Sequence, residues 1–417
     1  MAFYSALSFL ALILLVLLIG VTAIFFIEMQ RHRSMLRRIP MRIHVNGTRG
    51  KSSVTRLIAA GLRAGGLRTF AKTTGSAARL IHTDGSEEPV VRRAGANIRE
   101  QLSIVRKAAE EGAEALVIEC MAIRPDLQRI SEKRIVDSTI GVITNVRPDH
   151  LEVMGPQLED VARALSGTIP RGGKLFVAED RYADFLRRRA ESRRTSFHQT
   201  TPDAAPNPRG MKGFRYIEIP DNVALALDVC EAAGVDRQTA LKGMYGVTPD
   251  IGAMTLTRVQ REGKEIDFIN AFAANDPEST TFIWKLLELQ GPSSFLWKLI
   301  GIEDAGDPQA AVLISNRHDR MRRAVDMARI IEKEMTADWY LVAGDEASSF
   351  IEMAVRNGVP RDKLVNLGGA APESVLTRLF ALTKKQCSVM GIGNMGGFGI
   401  QFVQLLEREG MKHASAD

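Results

Sequence analysis

From Met1 to Ile27 the chain carries no charged side chain, and FLALILLVLLIGVTAIFFI within that stretch is almost wholly apolar. Such a run has no polar face to offer water, and it exceeds the roughly 20 residues that cross the hydrocarbon core of a bilayer as an α-helix. A cleaved secretory leader puts basic residues before its apolar stretch and a small-residue cleavage site after it. Here Arg31, Arg33, Arg37 and Arg38 come after the run, with His32 among them, and no Ala-x-Ala site follows. Basic flanks stay on the cytoplasmic side. Residues 1–30 are therefore expected to be a single-pass anchor in the cell membrane, with everything beyond Glu28 in the cytosol.

The remainder is a globular chain. The full 417 residues leave room for two or three domains, and the 45% hydrophobic and 25% charged composition is ordinary for folded protein. A net charge of +6 is mild and gives no sign of a nucleic-acid partner. Cys120, Cys230 and Cys387 are far apart and odd in number, which is neither a disulfide framework nor a zinc pattern and fits a reducing compartment. MRIHVN reads as a strand, followed by a glycine loop and a helix from about Ser52 to Ala64. LRTFAK, ALVIECM, STIGVITNV and GKLFVAED are further strand-length runs, and residues 98–111 look helical. This alternation predicts an α/β domain over residues 31–254 with a mostly parallel sheet covered on both faces. Residues 194–213 read as an exposed excursion. The rhythm restarts at about Thr255 with a hairpin turning at Glu262-Gly263, then AAVLIS, DWYLVAG, KLVNLG and CSVMGIG, predicting a smaller α/β domain over 255–417.

The loop HVNGTRGKSSV carries the first chemistry. The common P-loop pattern has four residues between its first glycine and Gly-Lys-Ser/Thr; here Gly47 lies too close for that spacing. Gly47 and Gly50 still let a backbone turn aim its N–H groups at phosphate oxygens, and the helix that starts beside them adds its positive dipole end. Lys51 is placed to reach the β- and γ-phosphates of ATP, and the Ser52 hydroxyl to bind Mg²⁺. Two more candidates close buried strands, where open α/β sheets hold their ligands. Glu119 ends ALVIE, and a carboxylate there is costly without a partner. TNVRPDHLEVMG offers Asn145, Asp149 and His150 as metal ligands or their supports.

Taken together, NGTRGKSS, the glutamate at a strand end and NVRPDHLE resemble the three linked motifs of the Mur ligase superfamily, whose members activate a carboxylate with ATP so that an amine can attack it. The resemblance implies Gly47, Thr48, Arg49, Gly50, Lys51, Ser52 and Ser53 as the phosphate loop. It implies Lys51, His150 and Asp149 as catalytic residues, and Ser52, Glu119 and His150 as ligands of Mg²⁺ or Mn²⁺. INAFAANDPEST is similar to the opening motif of the family's third domain, with Asn275, Asp276 and Pro277 present but no histidine, and the resemblance implies Asn275 as an ATP contact. ISNRHDRMRR offers Arg317, His318, Asp319 and Arg320, with Arg317 a further nucleotide contact. Leu165 stands where other members carry a carbamylated lysine.

The apolar N-terminus and the blocks ECMAIRPDLQ and TNVRPDHLEVMG narrow the resemblance to the CapB-type ligase subunits of poly-γ-glutamate synthase. That branch implies glutamate and its γ-linked polymer as substrates, ADP and phosphate as products, and small integral-membrane subunits as partners, with homo-oligomers also expected. Arg49, Arg124, Arg147, Arg317 and Arg320 are candidate binders of the anionic polymer. Two alternatives keep the loop and give it other work. One is a folylpolyglutamate-like or cell-wall peptide ligase; the other is a membrane-tethered NTPase of an export complex. GIGNMGGFG has the Gly-x-Gly-x-x-Gly order, but no acidic strand follows it before Asp417, so a turn packing a terminal helix, or a loop facing the active-site cleft, is expected rather than a dinucleotide site.

Overall fold

A computed structural model describes residues 2–74, 78–92, 95, 97–249, 253–274, 276–287 and 309–414. The chain divides into two compact units, Met1–Ala205 with Asp221–Val247, and Pro206–Pro220 with Thr248–Asp417.

The first unit opens with a helix, α1 (Ala2–Arg38), whose side chains from Leu12 to Ile27 are exposed. Among the described residues it is the one helix long and apolar enough to cross a membrane. It does not hang from a loose linker. Its last turn and the residue after it bury Leu36 and Ile39 against Phe70, Ile104, Val105 and Val136, and the His32 ring meets the Ile135 carbonyl at 2.8 Å.

Among the described residues the sheet of this unit has eight strands: β1 (Met41–Asn46), β2 (Thr69–Lys72), β3 (Arg79–Ile81), β4 (Glu87–Pro89), β5 (Ala115–Glu119), β6 (Ile140–Ile143), β7 (Lys174–Val177) and β8 (Ser196–Gln199). Their order is β4-β3-β2-β5-β1-β6-β7-β8. The six strands from β2 to β8 in that order run parallel, and the β3–β4 hairpin pairs antiparallel at one edge. Central strands such as ALVIE and IGVI are buried along their whole length, which is why they read as unbroken apolar runs. At the other edge, β8 (SFHQ) is largely exposed and polar, so its composition resembles that of a loop. Register sets β1 between β5 and β6, with Val45 opposite Glu119 and Asn46 opposite Ile143. The carboxyl ends of these three strands therefore lie side by side, at the place where the order reverses.

The second unit holds β9 (Thr255–Arg261), β10 (Lys264–Asn270), β11 (Gln309–Asn316), β12 (Trp339–Gly344), β13 (Leu364–Gly368) and β14 (Gln386–Gly393), in the order β13-β12-β11-β14-β10-β9. β9 and β10 form the expected hairpin, with Glu262 and Gly263 both at positive φ (51° and 74°) as a two-residue turn requires. The remaining neighbours are parallel. After β14 a glycine turn leads into the terminal helix Ile400–Ala414, which buries Phe402, Val403, Leu405 and Leu406 against this sheet.

Candidate active site

β1 ends at Asn46, and helix α2 (Lys51–Ala64) starts five residues later. The intervening turn needs both its glycines. Gly47 has φ 133°, and a Cβ there would stand 2.0 Å from Thr144 Oγ1; Gly50, which caps α2, has φ 79°, and a Cβ would meet Asn222 Oδ1 at 2.6 Å. Side chains following β6 hold the turn in place. The Thr48 hydroxyl (2.7 Å) and the Arg49 N–H (3.0 Å) donate to Asn145 Oδ1, while Asn145 Nδ2 (3.1 Å) and the Thr144 hydroxyl (2.6 Å) donate to the Arg49 carbonyl. The Arg147 N–H donates to the Thr48 hydroxyl at 3.0 Å. Lys51 folds back over the turn, its ammonium on the carbonyls of Gly47 (2.9 Å) and Thr48 (3.1 Å).

Glu119, buried at the end of β5, has the partners that its costly position demands. Its carboxylate accepts from the Ser52 hydroxyl at 2.8 Å, from the Thr74 N–H at 2.6 Å and from the Thr74 hydroxyl. Gln101 Nε2 donates to its carbonyl at 3.3 Å. Ser52 and Glu119 are thus brought together as expected. Ser53 follows in the first turn of α2. Asp149 receives Arg49 at 3.3 Å, and His150, in the left-handed region at φ 45°, lies 3.9 Å from Asp149 Oδ1 and 3.3 Å from Glu152. Asp149 and His150 line a cleft of about 270 Å³ together with Gly47, Lys51 and Thr74.

Other residues named from the sequence have partners of their own. Leu165 is fully buried in an apolar cluster with Val146, Val161 and Ala162. Arg124 is exposed and pairs with Asp126 two residues on. In the second unit, Arg317 makes a two-pronged pair with Asp319 (2.9 and 2.8 Å), Arg320 approaches the same carboxylate at 3.8 Å, and His318 pairs with Asp345 at 2.9 Å. Asn275 lies outside the described residues; Asp276 caps the helix Pro277–Leu287 by accepting from Ser279 N.

Sequence reasoning missed a second polar group beside the first. Lys72 ends β2 fully enclosed, with its ammonium 2.9 Å from Glu100 and 3.7 Å from the Met121 sulfur. Glu100 opens helix α3 (Glu100–Glu110) and also takes a two-pronged pair from Arg92, at 3.0 and 2.9 Å. Burial lowers the Lys72 pKa against the pull of Glu100. Burial opposes ionisation of Glu100 too, yet Arg92 and Lys72 hold its pKa below the usual value. The logic that picks out Glu119, a charge closing a buried strand, applies equally to the lysine of TFAK and would have found Lys72.

The donor set fits a nucleotide and a divalent ion. A glycine turn with no room for a Cβ, at a helix N-terminus, suits a phosphate chain. Among the described residues no group of three or more His, Cys, Asp or Glu converges on one point, so a metal at Ser52 and Glu119 would be held by one hydroxyl and one carboxylate. Mg²⁺ is typically bound by one or two carboxylates plus phosphates and water.

Residues 45–211 match the Mur ligase middle domain, and residues 256–409 match the poly-gamma-glutamate synthase CapB C-terminal domain. The fold is that of E. coli FolC in complex with ADP (TM-score 0.63, 15% identity, 93% of each chain covered). MurF from Acinetobacter baumannii shares it too (TM-score 0.57, 15% identity, 91% of this chain and 78% of that one). A similar folylpolyglutamate synthase/dihydrofolate synthase from Yersinia pestis (TM-score 0.60, 14% identity, 90% of this chain and 92% of that one) was solved with AMPPNP and a Mn ion. The chain is a Mur-ligase-type protein. Over 407 residues it is 36% identical to the capsule biosynthesis protein CapB of Bacillus anthracis, covering 95% of this chain and 84% of that protein. Over 387 residues it is 35% identical to the PGA synthase CapB of Bacillus subtilis strain 168, covering 92% and 93%. It belongs to the CapB family.

Proposed function

We propose that this chain is an ATP-dependent amide ligase that extends poly-γ-glutamate through an acyl phosphate. The γ-carboxylate at the end of the polymer attacks the terminal phosphorus of ATP and ADP leaves. The amine of an incoming glutamate then attacks the acyl carbon, the new amide forms, and phosphate departs with the bonding electron pair while the amine loses its proton. The observation that carries this reading is the constellation of Lys51, Ser52, Glu119 and Thr74 behind one glycine turn. Phosphoryl transfer is mainly a matter of positioning and charge neutralisation, which this arrangement is built to supply.

Lys51 neutralises charge on the transferred group, and its present carbonyl partners are easily exchanged for phosphate oxygens. The turn's N–H groups hold the phosphate chain. Ser52 and Glu119 would hold Mg²⁺, whose contribution is charge neutralisation at the phosphate oxygens. Asp149 fixes Arg49 beside the turn, and His150, open to the cleft, is the residue proposed to hold a second ion. The anchor α1 is proposed to place the catalytic part at the cytoplasmic face, beside small membrane subunits that share in making or exporting the polymer.

The test is product analysis with the full chain in membranes. Glutamate-dependent release of ADP, with a product ladder spaced by glutamyl residues, is the expected result. AMP and pyrophosphate as products would overturn the acyl-phosphate route. ATP turnover indifferent to any amino acid would favour the NTPase reading, and glutamylation of a folate in place of a polymer would favour the folylpolyglutamate-like one.

A further inference from the structure

The Lys72–Glu100–Arg92 cluster is more than a brace between β2 and α3. Two cations share the Glu100 carboxylate, and the neighbouring Glu119 carboxylate also acts on both of them, so the buried group is balanced in charge. Lys72 is completely enclosed between Glu100 and Met121, whereas Arg92 keeps part of its side chain exposed and lines the same cleft as Lys51. Glu100 engages Nε and Nη2 of Arg92, two of the five N–H donors of the guanidinium. The fork is therefore oriented in advance for a second planar anion. Met121, Ile123 and Met154 give the cleft an apolar wall. One small cleft thus offers a cation at the phosphate turn, an apolar wall, and a separate, braced arginine.

We propose that Arg92, held by Glu100 and Lys72, binds the α-carboxylate of the terminal glutamyl residue of the growing polymer, while that residue's γ-carboxylate is presented to Lys51. The proposal rests on the ligase reading above and assigns a subsite within it. A γ-linked chain end carries two carboxylates separated by two methylenes and the α-carbon. Holding the α-carboxylate on Arg92 with the methylenes along the Met121–Ile123–Met154 wall leaves the γ-carboxylate for the phosphate turn. The subsite therefore selects which carboxylate is activated, and hence the γ-linkage of the product.

The test compares a γ-linked glutamate oligomer with the same oligomer amidated at its terminal α-carboxylate, using the full chain in detergent micelles. For the wild type, amidation should lower kcat/KM by about ten- to a hundredfold, the range of a lost charge-assisted hydrogen bond. Arg92→Gln should show that loss on the unmodified oligomer, respond little to amidation, and keep its KM for ATP; Arg92→Lys should fall between. Arg92→Gln that lowers both oligomers equally while keeping the wild-type ratio would make the cluster a brace only. A raised KM for ATP with unchanged discrimination would assign Arg92 to the nucleotide, and either result overturns the proposal. Equilibrium binding of the two oligomers without turnover separates this from the ligase reading. If the wild type binds both alike, the subsite is wrong whatever the activity. If binding discriminates through Arg92 and no oligomer is extended, the subsite stands and the ligase reading falls.

Discussion

Each unit of the molecule has a glycine-rich turn running from a central parallel strand into a helix, and the two turns are built for different ends. In the first, Gly47 and Gly50 adopt positive φ, Thr144 and Asn222 leave no room for a Cβ, and polar side chains after β6 pin the turn's backbone. Lys51 and Ser52 come at once, and Glu119 from the neighbouring strand closes on Ser52. Around the second, Gly391 and Gly393 at the end of β14 are pressed against the rings of Phe268 and Phe272 and against the Ser315 carbonyl, and Gly399 in the turn against the Asn394 carbonyl. Ile400 and Phe402 come next in the chain, and Phe402 buries the terminal helix. Glycine alone therefore says only that two pieces of backbone or ring approach closely. On the proposed function, phosphate chemistry comes from the lysine, the hydroxyl and the carboxylate placed around the turn.

The largest effect should come from removing that chemistry while keeping the turn. Lys51→Ala deletes an ammonium that hydrogen-bonds two turn carbonyls, so the fold should survive with a thermal midpoint close to wild type. Glutamate-dependent ADP release should fall by about 10²–10³-fold, the scale of losing one preorganised electrostatic contact to the transferring group. A loss below about threefold would mean that the two turns differ less than their surroundings indicate.

Next come the glycines themselves, one in each unit. Gly47→Ala puts a methyl group 2.0 Å from Thr144 Oγ1 and 3.0 Å from its backbone nitrogen, at a φ that L-residues rarely adopt. Strain and overlap together should cost about 3 kcal/mol, and activity should fall with them because the phosphate-binding amides move. Gly391→Ala would meet two aromatic rings at 2.7 Å. It should cost a similar amount in a urea melt while leaving the KM for ATP of the folded fraction unchanged. Equal effects of the two substitutions on that KM would erase the distinction between the turns.

Much of this contrast is legible in the sequence, because the strands are buried on both faces and show as apolar runs, and because Gly-Lys-Ser after such a run has few other uses. The terminal turn is less legible: its glycines leave a helix-packing turn and a loop facing the active-site cleft both open. The hidden part is long-range and polar. The Thr144–Asn145 support of the phosphate turn reaches across 95 or 96 residues, and the Lys72–Glu100–Arg92 cluster joins a strand, a helix and a loop. Edge strand β8 escapes sequence reading because an edge tolerates polar residues that a central strand does not. Leu165, which the resemblance places where other members carry a carbamylated lysine, packs in an apolar cluster.

A subtler difference lies beneath the turns. β1 carries His44, completely buried, with Nδ1 2.8 Å from Glu132 Oε2; Glu132 also accepts from Ser138 N and Oγ at 3.0 and 2.9 Å. Burial works against a charged imidazole, and Nε2 has no hydrogen-bond partner, but neighbouring Cys120 and Glu132 favour the charged form and the pKa is raised to about 9. In β14, beneath the second turn, burial instead pushes the Cys387 thiol up to about 12, neutral at ordinary pH. A group whose folded pKa lies above its unfolded value stabilises fully below the latter, and that stability is lost as pH rises through the former. The His44 contribution should thus be complete below about pH 6.5, the unperturbed histidine value, and fade toward pH 9. Thermal melts across this window should show the wild-type midpoint falling, and Glu132→Gln should lower it at pH 6 and flatten the slope. A wild-type midpoint that rises from pH 6.5 to 9 would contradict a charged His44.

The smallest effect tests whether the second turn has any hidden phosphate role. Gly396 sits at φ −66° and ψ 152°, an ordinary extended conformation for any residue, and the atom a Cβ would crowd is Arg317 Nη1 at 2.5 Å. That atom is the far end of a flexible side chain, free to swing while its pair with Asp319 re-forms nearby. Gly396→Ala should therefore change stability by less than about 1 kcal/mol, with the entropy lost by the unfolded chain offsetting the crowding. If the turn only packs the terminal helix, the KM for ATP should stay within about twofold of wild type. A tenfold rise in that KM at unchanged stability would show that Arg317, or the turn it touches, meets the nucleotide. The two glycine turns would then differ in degree of engagement with phosphate and not in kind.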